Sequence, residues 1–227
     1  MSKQITLSID SSGPQFTAGI FDGKKIYSMQ RSGIKQEQFF LPVIERVLAK
    51  AGAKLEDVAH ICLVRGPGRF TGLRISITFA SMMQMLNGTK VSGATLFDLL
   101  EQQVHVSPAF ISWKAKYPLG ISAVVLHAFR EEYFLQFFDG TGAGPQWLSK
   151  EELLIQLAAR EEPIFIAGTD KEGACLSALL GNKYRLAPRV DSRLRVQTLL
   201  NLAKNPIYNK NALEPLYLKP ARFELGK

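Results

Sequence analysis

A wholly apolar run, Ile61–Val64, is followed at once by a glycine-rich loop and then by an apolar segment from Leu73 to Leu86. Such a run is typical of a strand that is covered on both faces, as in a parallel sheet. The later segment is apolar on nearly all sides of a helix, so one side can pack on the sheet. The other side needs a second partner, either another helix or another protein. The pattern predicts a strand–loop–helix unit of an α/β protein.

Three sequential strands are predicted before this unit, with a hairpin turn at Asp22-Gly23 between the second and the third. A helix with a wide apolar face follows over Phe39–Leu48. Pro42 lies inside that pattern, so either the regular helix begins near it or a kink occurs there. A short strand and a helix capped by Thr95 are expected over residues 91–105. These elements form a first α/β half.

A break in composition at residues 106–118 precedes a second, shorter α/β half. We therefore predict a two-lobed α/β protein with mixed sheets flanked by helices, divided into residues 1–105 and 106–227. The second half is expected to contain strands over 120–129, 133–138 and 163–167, and helices over 149–160, 171–180 and 193–203.

Composition excludes several classes of protein. With 46% hydrophobic and 21% charged residues among 227, the chain is neither disordered nor a membrane protein. No apolar run approaches the roughly 20 residues that span a bilayer, and the first residues show no signal-peptide core. The only cysteines, Cys62 and Cys175, are far apart in the sequence, which fits a reducing compartment. We expect a cytoplasmic protein.

The positive charge is concentrated near the C-terminus. Residues 183–227 contain ten basic and three acidic residues, which accounts for +7 of the net charge of +8. Either a solvated basic surface or a contact with nucleic acid or an acidic partner explains this distribution.

The loop from Arg65 to Arg74 is the most specific segment of the sequence. It lacks the Gly-Lys-Ser/Thr of a Walker A loop, and its glycine spacing is wrong for a dinucleotide fingerprint. Thr71 is expected to cap the following helix. The helix start, with arginines around it, favours an anion, and a purely structural loop is the alternative. The candidate contacts are Arg65, Gly66, Gly68, Thr71, Gly72 and Arg74.

A second candidate is Asp10-Ser11-Ser12, at the end of the first strand. A carboxylate and two hydroxyls in that position suit a metal–phosphate group, whereas an ordinary Asx or Ser turn is the structural alternative. The three histidines show no metal-ligand spacing, and the cysteines add none. No Gly-x-Ser-x-Gly elbow is present. We expect no metal site, whereas composition alone leaves a Ser-His-Asp triad open.

The segment Arg65-Gly-Pro-Gly-Arg-Phe-Thr-Gly-Leu-Arg-Ile-Ser-Ile closely resembles the loop of bacterial TsaB proteins of the YeaZ type. Ile5–Asp10 is similar to the family's opening strand, Leu41-Pro42 to its first helix, and Glu214–Lys219 to its closing motif. The strong similarity covers roughly residues 4–105. Gln36-Glu37 lacks the family's usual histidine, and His127–Phe134 departs from its second-lobe strand motif.

The resemblance implies a two-lobed actin/hexokinase-like (ASKHA) fold. It also implies a non-catalytic paralogue of TsaD, the enzyme that transfers a threonylcarbamoyl group to adenosine 37 of tRNA. TsaD holds its metal through a His-x-x-x-His motif, whereas Ser92–Leu100 contains no histidine. The expected partners are the TsaD transferase and the TsaE ATPase, with a homodimer forming when the chain is alone. No resident cofactor is expected. Whether ATP or ADP binds at the partner interface, and whether tRNA contacts the basic C-terminal region or only the partner, stay open.

Two further expectations can be tested by experiment. The competing function is a small actin-fold ATPase or kinase that uses Asp10 and the Gly66–Gly72 loop. For the scaffold function, the outer edges of the two N-terminal helices are predicted to form a docking patch for the transferase and for a second copy of the chain. The predicted patch residues are Phe39, Phe40, Val43, Met82, Met83 and Leu86.

Overall fold

The computed structural model describes residues 4–33, 35–169, 176–181 and 184–219. The chain divides into two compact units. The first comprises Met1–Leu96 with Arg195–Tyr217, and the second comprises Phe97–Leu194 with Leu218–Lys227. This division differs from the predicted one at residue 105 in two ways: residues 97–105 belong to the second unit, and a late segment of the chain belongs to the first.

The first unit is built on a mixed five-stranded sheet. Its strand order is β3-β2-β1-β4-β5; β1, β2 and β3 pair antiparallel, whereas β4 pairs parallel with both β1 and β5. β1 and β4 alternate their side chains between two covered faces, so both contain long runs of buried residues. The strands are β1 Ile5–Asp10, β2 Gln15–Phe21, β3 Ile26–Ser32, β4 Val58–Gly66 and β5 Lys90–Thr95.

Two helices of this unit, α1 Phe40–Lys50 and α2 Phe70–Asn87, join the core of the sheet. Pro42 lies in the first turn of α1, where its missing N–H removes no helical hydrogen bond. The helix therefore begins near this proline. The Phe40 ring lies 5.0 Å from Phe16 of β2 and 5.4 Å from Phe79 of α2, so the two helices are neighbours in one core.

The second unit has its own mixed sheet, in the order β10-β9-β6-β7-β8. β6, β7 and β8 pair antiparallel, and β9 pairs parallel with β6 and β10. Its elements are α3 Leu96–His105, α4 Pro108–Lys116, β6 Ile121–Phe129, β7 Glu132–Phe138, β8 Gln146–Ser149, α5 Lys150–Ala158, β9 Ile164–Thr169, α6 Ser177–Leu180 and β10 Arg185–Leu186.

The segment that returns to the first unit contains α7 Val196–Leu200 and two 3-10 turns, Asn201–Lys204 and Pro206–Asn209. It packs on β1, β2, β4 and β5, and it buries Leu199, Leu200 and Leu202 there. The predicted helix over 193–203 is therefore a short α-helix that continues as 3-10 turns.

Three elements were not predicted: α4, β8 and β10. α4 occupies the predicted break in composition, and the two strands are too short to show an alternation. Of the predicted helix over 171–180, the structure describes α6, and residues 171–175 lie outside the described residues. Where the chain is described, no helix is long and apolar enough to cross a membrane.

The basic residues near the C-terminus do not form one tail in the part that is described. Arg185, Arg189 and Arg193 belong to the second unit, whereas Arg195, Lys204 and Lys210 belong to the first. Lys219 belongs to the second unit, where its ammonium group pairs with Glu132 at 2.5 Å. Lys183, Arg222 and Lys227 lie outside the described residues.

Candidate functional site

The glycine-rich loop lies at the end of β4, directly against the turn that follows β1. These two strands are neighbours and run parallel, so their C-terminal ends meet at one edge of the sheet. The backbone N–H of Arg69 donates to the Ser12 carbonyl at 2.7 Å. The structure therefore brings the two predicted site segments, Asp10–Ser12 and Gly66–Gly72, together within the first unit.

Close backbone packing explains the glycines of the loop. Gly66 has a φ of 130°, and a Cβ there would lie 2.5 Å from the Leu216 carbonyl oxygen. A Cβ on Gly72 would lie 2.1 Å from the Ser11 carbonyl oxygen, and Gly68 is similarly close to Ser12. Any larger residue at these positions would push the loop away from the rest of the unit.

The Asp10 carboxylate is hydrogen-bonded within the turn that follows β1. Ser12 donates to Asp10 Oδ1 from its backbone N–H at 3.0 Å and from its hydroxyl at 2.6 Å. Burial raises the pKa of the Asp10 carboxyl above its ordinary value, and the two hydrogen bonds oppose that shift. The neighbouring Ser11 is buried, with its Oγ 2.9 Å from both the Gly72 carbonyl oxygen and Ser76 Oγ. Ser11 therefore fastens the start of α2 to the end of β1.

The three arginines around the loop have different surroundings. Arg65 Nη1 donates to the carbonyls of Asn211 and Glu214 at 2.8 and 3.1 Å, so this guanidinium holds the late segment of the first unit. The Arg74 guanidinium lies 3.9 Å from the centre of the exposed Phe70 ring, and Arg69 is exposed. The anion contact predicted at this loop stays a prediction.

The predicted cap of α2 is wrong. The helix begins at Phe70, so Arg69 is its N-cap residue and makes no side-chain capping hydrogen bond. Thr71 is the second helical residue and is exposed.

Four of the six predicted docking residues are core residues. Phe39, Phe40, Val43 and Met83 are buried in the hydrophobic cluster beneath α1 and α2. The apolar pattern of a helix cannot show which of two apolar sides the rest of the fold covers, which explains the error. Met82 and Leu86, by contrast, are 45% and 74% exposed.

An exposed apolar strip runs along the outer side of α2. We define it by Met82, Met85 and Leu86, of which Met85 is 82% exposed. The strip borders a groove of about 430 Å³ that Ile77 and Leu213 also line. Sequence reasoning missed Met85 as a surface residue, although it stands three residues after Met82 and so shares its side of the helix.

A histidine, a serine and an asparagine form a hydrogen-bonded trio in the first unit. Ser92 Oγ lies 2.6 Å from Asn209 Oδ1 and 2.8 Å from His60 Nε2. The asparagine oxygen accepts the serine proton, so the imidazole donates to the serine and does not act as its base. Burial, with a smaller contribution from Lys90, lowers the pKa of His60. Ser92 is fully buried, and the trio joins β4 and β5 to the last 3-10 turn.

The Cys62 side chain is also buried, and burial raises the pKa of its thiol to about 12, which disfavours the thiolate. Cys175 lies outside the described residues. Over residues 4–33, 35–169, 176–181 and 184–219, no group of three or more His, Cys, Asp or Glu residues is placed to hold a metal ion.

Two five-stranded mixed sheets with flanking helices define the class of this protein: it is an α/β protein of two units with the fold of YeaZ, in keeping with the predicted fold class. The solved structure of YeaZ from Pseudomonas aeruginosa matches it with a TM-score of 0.68 and 19% identity, over 95% of this chain and 100% of that one. This likeness confirms the fold.

The sequence comparisons name a particular type within the class. The model of the TsaD family, tRNA N6-adenosine threonylcarbamoyltransferase, matches residues 35–121. The tRNA threonylcarbamoyladenosine biosynthesis protein TsaB of Buchnera aphidicola subsp. Schizaphis graminum is 32% identical over 100 residues, which make up 44% of this chain and 48% of that relative. TsaB of Buchnera aphidicola subsp. Acyrthosiphon pisum is 22% identical over 211 residues, or 92% and 85% of the two chains. The predicted resemblance to TsaB proteins of the YeaZ type is confirmed by these relatives.

Proposed function

We propose that this chain is a non-catalytic subunit required for threonylcarbamoyl (t6A) modification of adenosine 37 in tRNA. It acts by binding a TsaD-type transferase, and a TsaE-type ATPase joins the complex. The names of the two Buchnera relatives support involvement in t6A biosynthesis. The proposed place of action is the cytoplasm, and the proposal includes no resident cofactor. Any ATP or ADP of the complex would bind at the interface with the transferase.

The single observation that carries the proposal is the exposed apolar strip of α2. Met82, Met85 and Leu86 present long apolar side chains to solvent beside a groove, and such surfaces mark protein interaction sites. The segment that resembles TsaD, residues 35–121, contains α1 and α2. Paralogous folds present similar helices to each other, so a transferase of this family is the proposed occupant of the strip.

The groups that could carry a reaction support a non-catalytic role. Asp10 accepts two hydrogen bonds from Ser12, the buried Ser92 hydroxyl donates to Asn209 Oδ1, and the Cys62 thiol is fully buried. Each of these side chains is engaged or buried within the first unit.

The test is direct association with the transferase encoded in the same host. We expect Met85→Asp combined with Leu86→Asp to abolish binding of the purified transferase while the melting temperature stays close to that of the wild type. Both side chains are exposed, so the carboxylates remain hydrated. The matched control is Met83→Asp on the same helix, which buries an unpaired charge and should cost several kcal/mol of stability, about 3 or more.

The same strip is proposed to pair with a second copy of the chain when the transferase is absent, because a two-fold homodimer uses one patch twice. The double variant should then be monomeric by light scattering at concentrations where the wild type is dimeric. Unchanged binding of the transferase by this variant would show that the strip is not the interface. Metal-dependent ATP hydrolysis by the isolated wild-type chain, lost in Asp10→Asn, would instead favour the small ATPase or kinase.

A further inference from the structure

The second unit contains a groove of about 500 Å³ between the end of α4 and the first residues of β9 and β10. Its volume lies in the range of small-molecule sites, about 300–1,000 Å³. The side chains that give it chemical character are Trp113, Lys116, Tyr117, Tyr184 and Arg185. All five belong to the second unit, and none belongs to the loop or strip described above.

Three aromatic rings line this groove. Trp113 is anchored in the core of the unit, with its ring 5.3 Å from that of Phe165. The Tyr117 ring lies 5.6 Å from Trp113 and is tilted by 40° to it, and the Tyr117 side chain is 46% exposed. Tyr184 is half-buried and also lines the groove. A ring that is fixed at one edge and open at the other is suited to stacking against a flat ligand.

The charged residues of the groove are both cations. Lys116 and Arg185 are exposed, and neither side chain forms a hydrogen bond or ion pair with another described residue. The nearby Lys114 is already engaged, since its ammonium group donates to the Gly120 carbonyl at 2.5 Å. Glu162 stands next to Pro163 in the sequence, but its carboxylate lies 4.0 Å from Arg160 Nη1. The groove therefore has a positive field.

We propose that this groove binds one nucleotide unit, with the base against Tyr117 and Tyr184 and the phosphate on Lys116 and Arg185. Every base has a π-face that stacks on an aromatic side chain, and a guanidinium binds phosphate with two parallel hydrogen bonds. A free nucleotide and a nucleotide of single-stranded RNA share this chemistry. The inference concerns a contact of this chain alone and does not depend on the transferase.

The experiment uses the full chain and an internal reporter. The sequence contains two tryptophans, Trp113 and Trp147, so in a Trp147→Phe background all tryptophan emission comes from the groove residue. Titration with AMP, and separately with an unstructured RNA tetranucleotide, should quench this emission. Calorimetry on the wild-type chain gives the affinity without the background substitution.

Variants of the groove give the decisive comparison. Lys116→Ala combined with Arg185→Ala should weaken binding about tenfold and make the salt dependence of the affinity shallower. Tyr117→Ala should also weaken it, whereas Tyr117→Phe, which keeps the ring, should not. The matched control is Lys24→Ala combined with Lys25→Ala, which removes the same charge from an exposed turn of the first unit and should leave the affinity within about twofold.

The two probes separate the sources of the nucleotide. Equal affinity for AMP and the tetranucleotide assigns the groove to a free nucleotide, and tighter binding of the tetranucleotide assigns it to an RNA strand. The absence of quenching by both probes would overturn the proposal. An equal loss of affinity in the control variant would also overturn it, because the binding would then follow net charge. None of these results affects the association test for α2, because that test measures binding of the transferase and not of a nucleotide.

Discussion

The Asp10 carboxyl, at the end of β1, lies in a buried environment that disfavours its ionised form. Its pKa is raised by burial, and only the two hydrogen bonds from Ser12 compensate. A carboxyl with a raised pKa binds more protons in the folded than in the unfolded state. The stability that Asp10 contributes is therefore lost as the pH rises from about 3.8, the pKa of this carboxyl in the unfolded chain, through its higher pKa in the folded chain.

Asp10→Asn should accordingly stabilise the protein at pH 7. The amide oxygen can accept the same hydrogen bonds from Ser12 without the cost of a buried charge. We expect the free energy of unfolding in urea at pH 7 to rise, and its advantage over the wild type to shrink toward pH 3.

Ser12→Ala provides the opposite control. It removes the 2.6 Å hydrogen bond to Asp10 but leaves the charge, so it should lower stability by about 1 kcal/mol. If both variants are destabilised alike, Asp10 stabilises the fold in its ionised form, and our interpretation of its environment is wrong.

The sequence predicted some residue contacts of the site and not others, for physical reasons. Asp10–Ser12 and Gly66–Gly72 follow strands of one parallel pair, so their meeting follows from the order of elements. The contact of Arg65 with Asn211 and Glu214 joins residues about 150 positions apart. The local sequence around Arg65, or around Asn211 and Glu214, does not predict a contact with so distant a residue.

Among the elements, α4 is a helix that apolar periodicity does not predict. Its apolar residues are spread around the helix, so no single stripe marks it. Its start is nevertheless encoded: Ser107 caps it by accepting from the Phe110 N–H, and Pro108 occupies the first position. The Ser-Pro pair is the signal that would have placed this helix, which supplies Trp113 and Lys116 to the groove.

The link between β7 and α5 gives a prediction about acid stability. Asp139 accepts from the hydroxyl and N–H of Thr141 and from Arg160, and these bonds lower the pKa of its carboxyl to about 2. A lowered pKa contributes stability above the ordinary value of 3.8, and that contribution is lost as pH falls from 3.8 toward 2. Asp139→Asn should therefore destabilise the chain at pH 7. It should also reduce the acid limb, by which we mean the fall in the free energy of unfolding between pH 3.8 and pH 2, as measured by denaturant titration.

Arg160→Met separates the two contributions at that link. The strongest effect on the Asp139 pKa comes from Thr141, so the Arg160 variant should keep most of the acid limb. A complete loss of the limb in Arg160→Met would assign the low pKa to the ion pair instead.

For the whole molecule, the late segment Arg195–Tyr217 determines whether the first unit is complete. Leu202 is fully buried on the sheet of that unit. Leu202→Ala should therefore cost about 2–5 kcal/mol and increase hydrogen exchange in β1 and β4. Ile207→Ala, at a 69% exposed position in the same segment, is the control and should change neither quantity. Equal effects of the two variants, or protection that is lost only in β6 and β9, would contradict this assignment.

The return of Arg195–Tyr217 also has a consequence for synthesis on the ribosome. The chain is made from its N-terminus, and domains generally fold as units while it emerges. The first unit, however, obtains its last buried leucines only after residues 97–194 have been translated. Part of the apolar surface of its sheet, on strands β1, β2, β4 and β5, therefore stays uncovered while the second unit is being translated. The half of the protein that is made first therefore stays incomplete until nearly all of the chain has been translated.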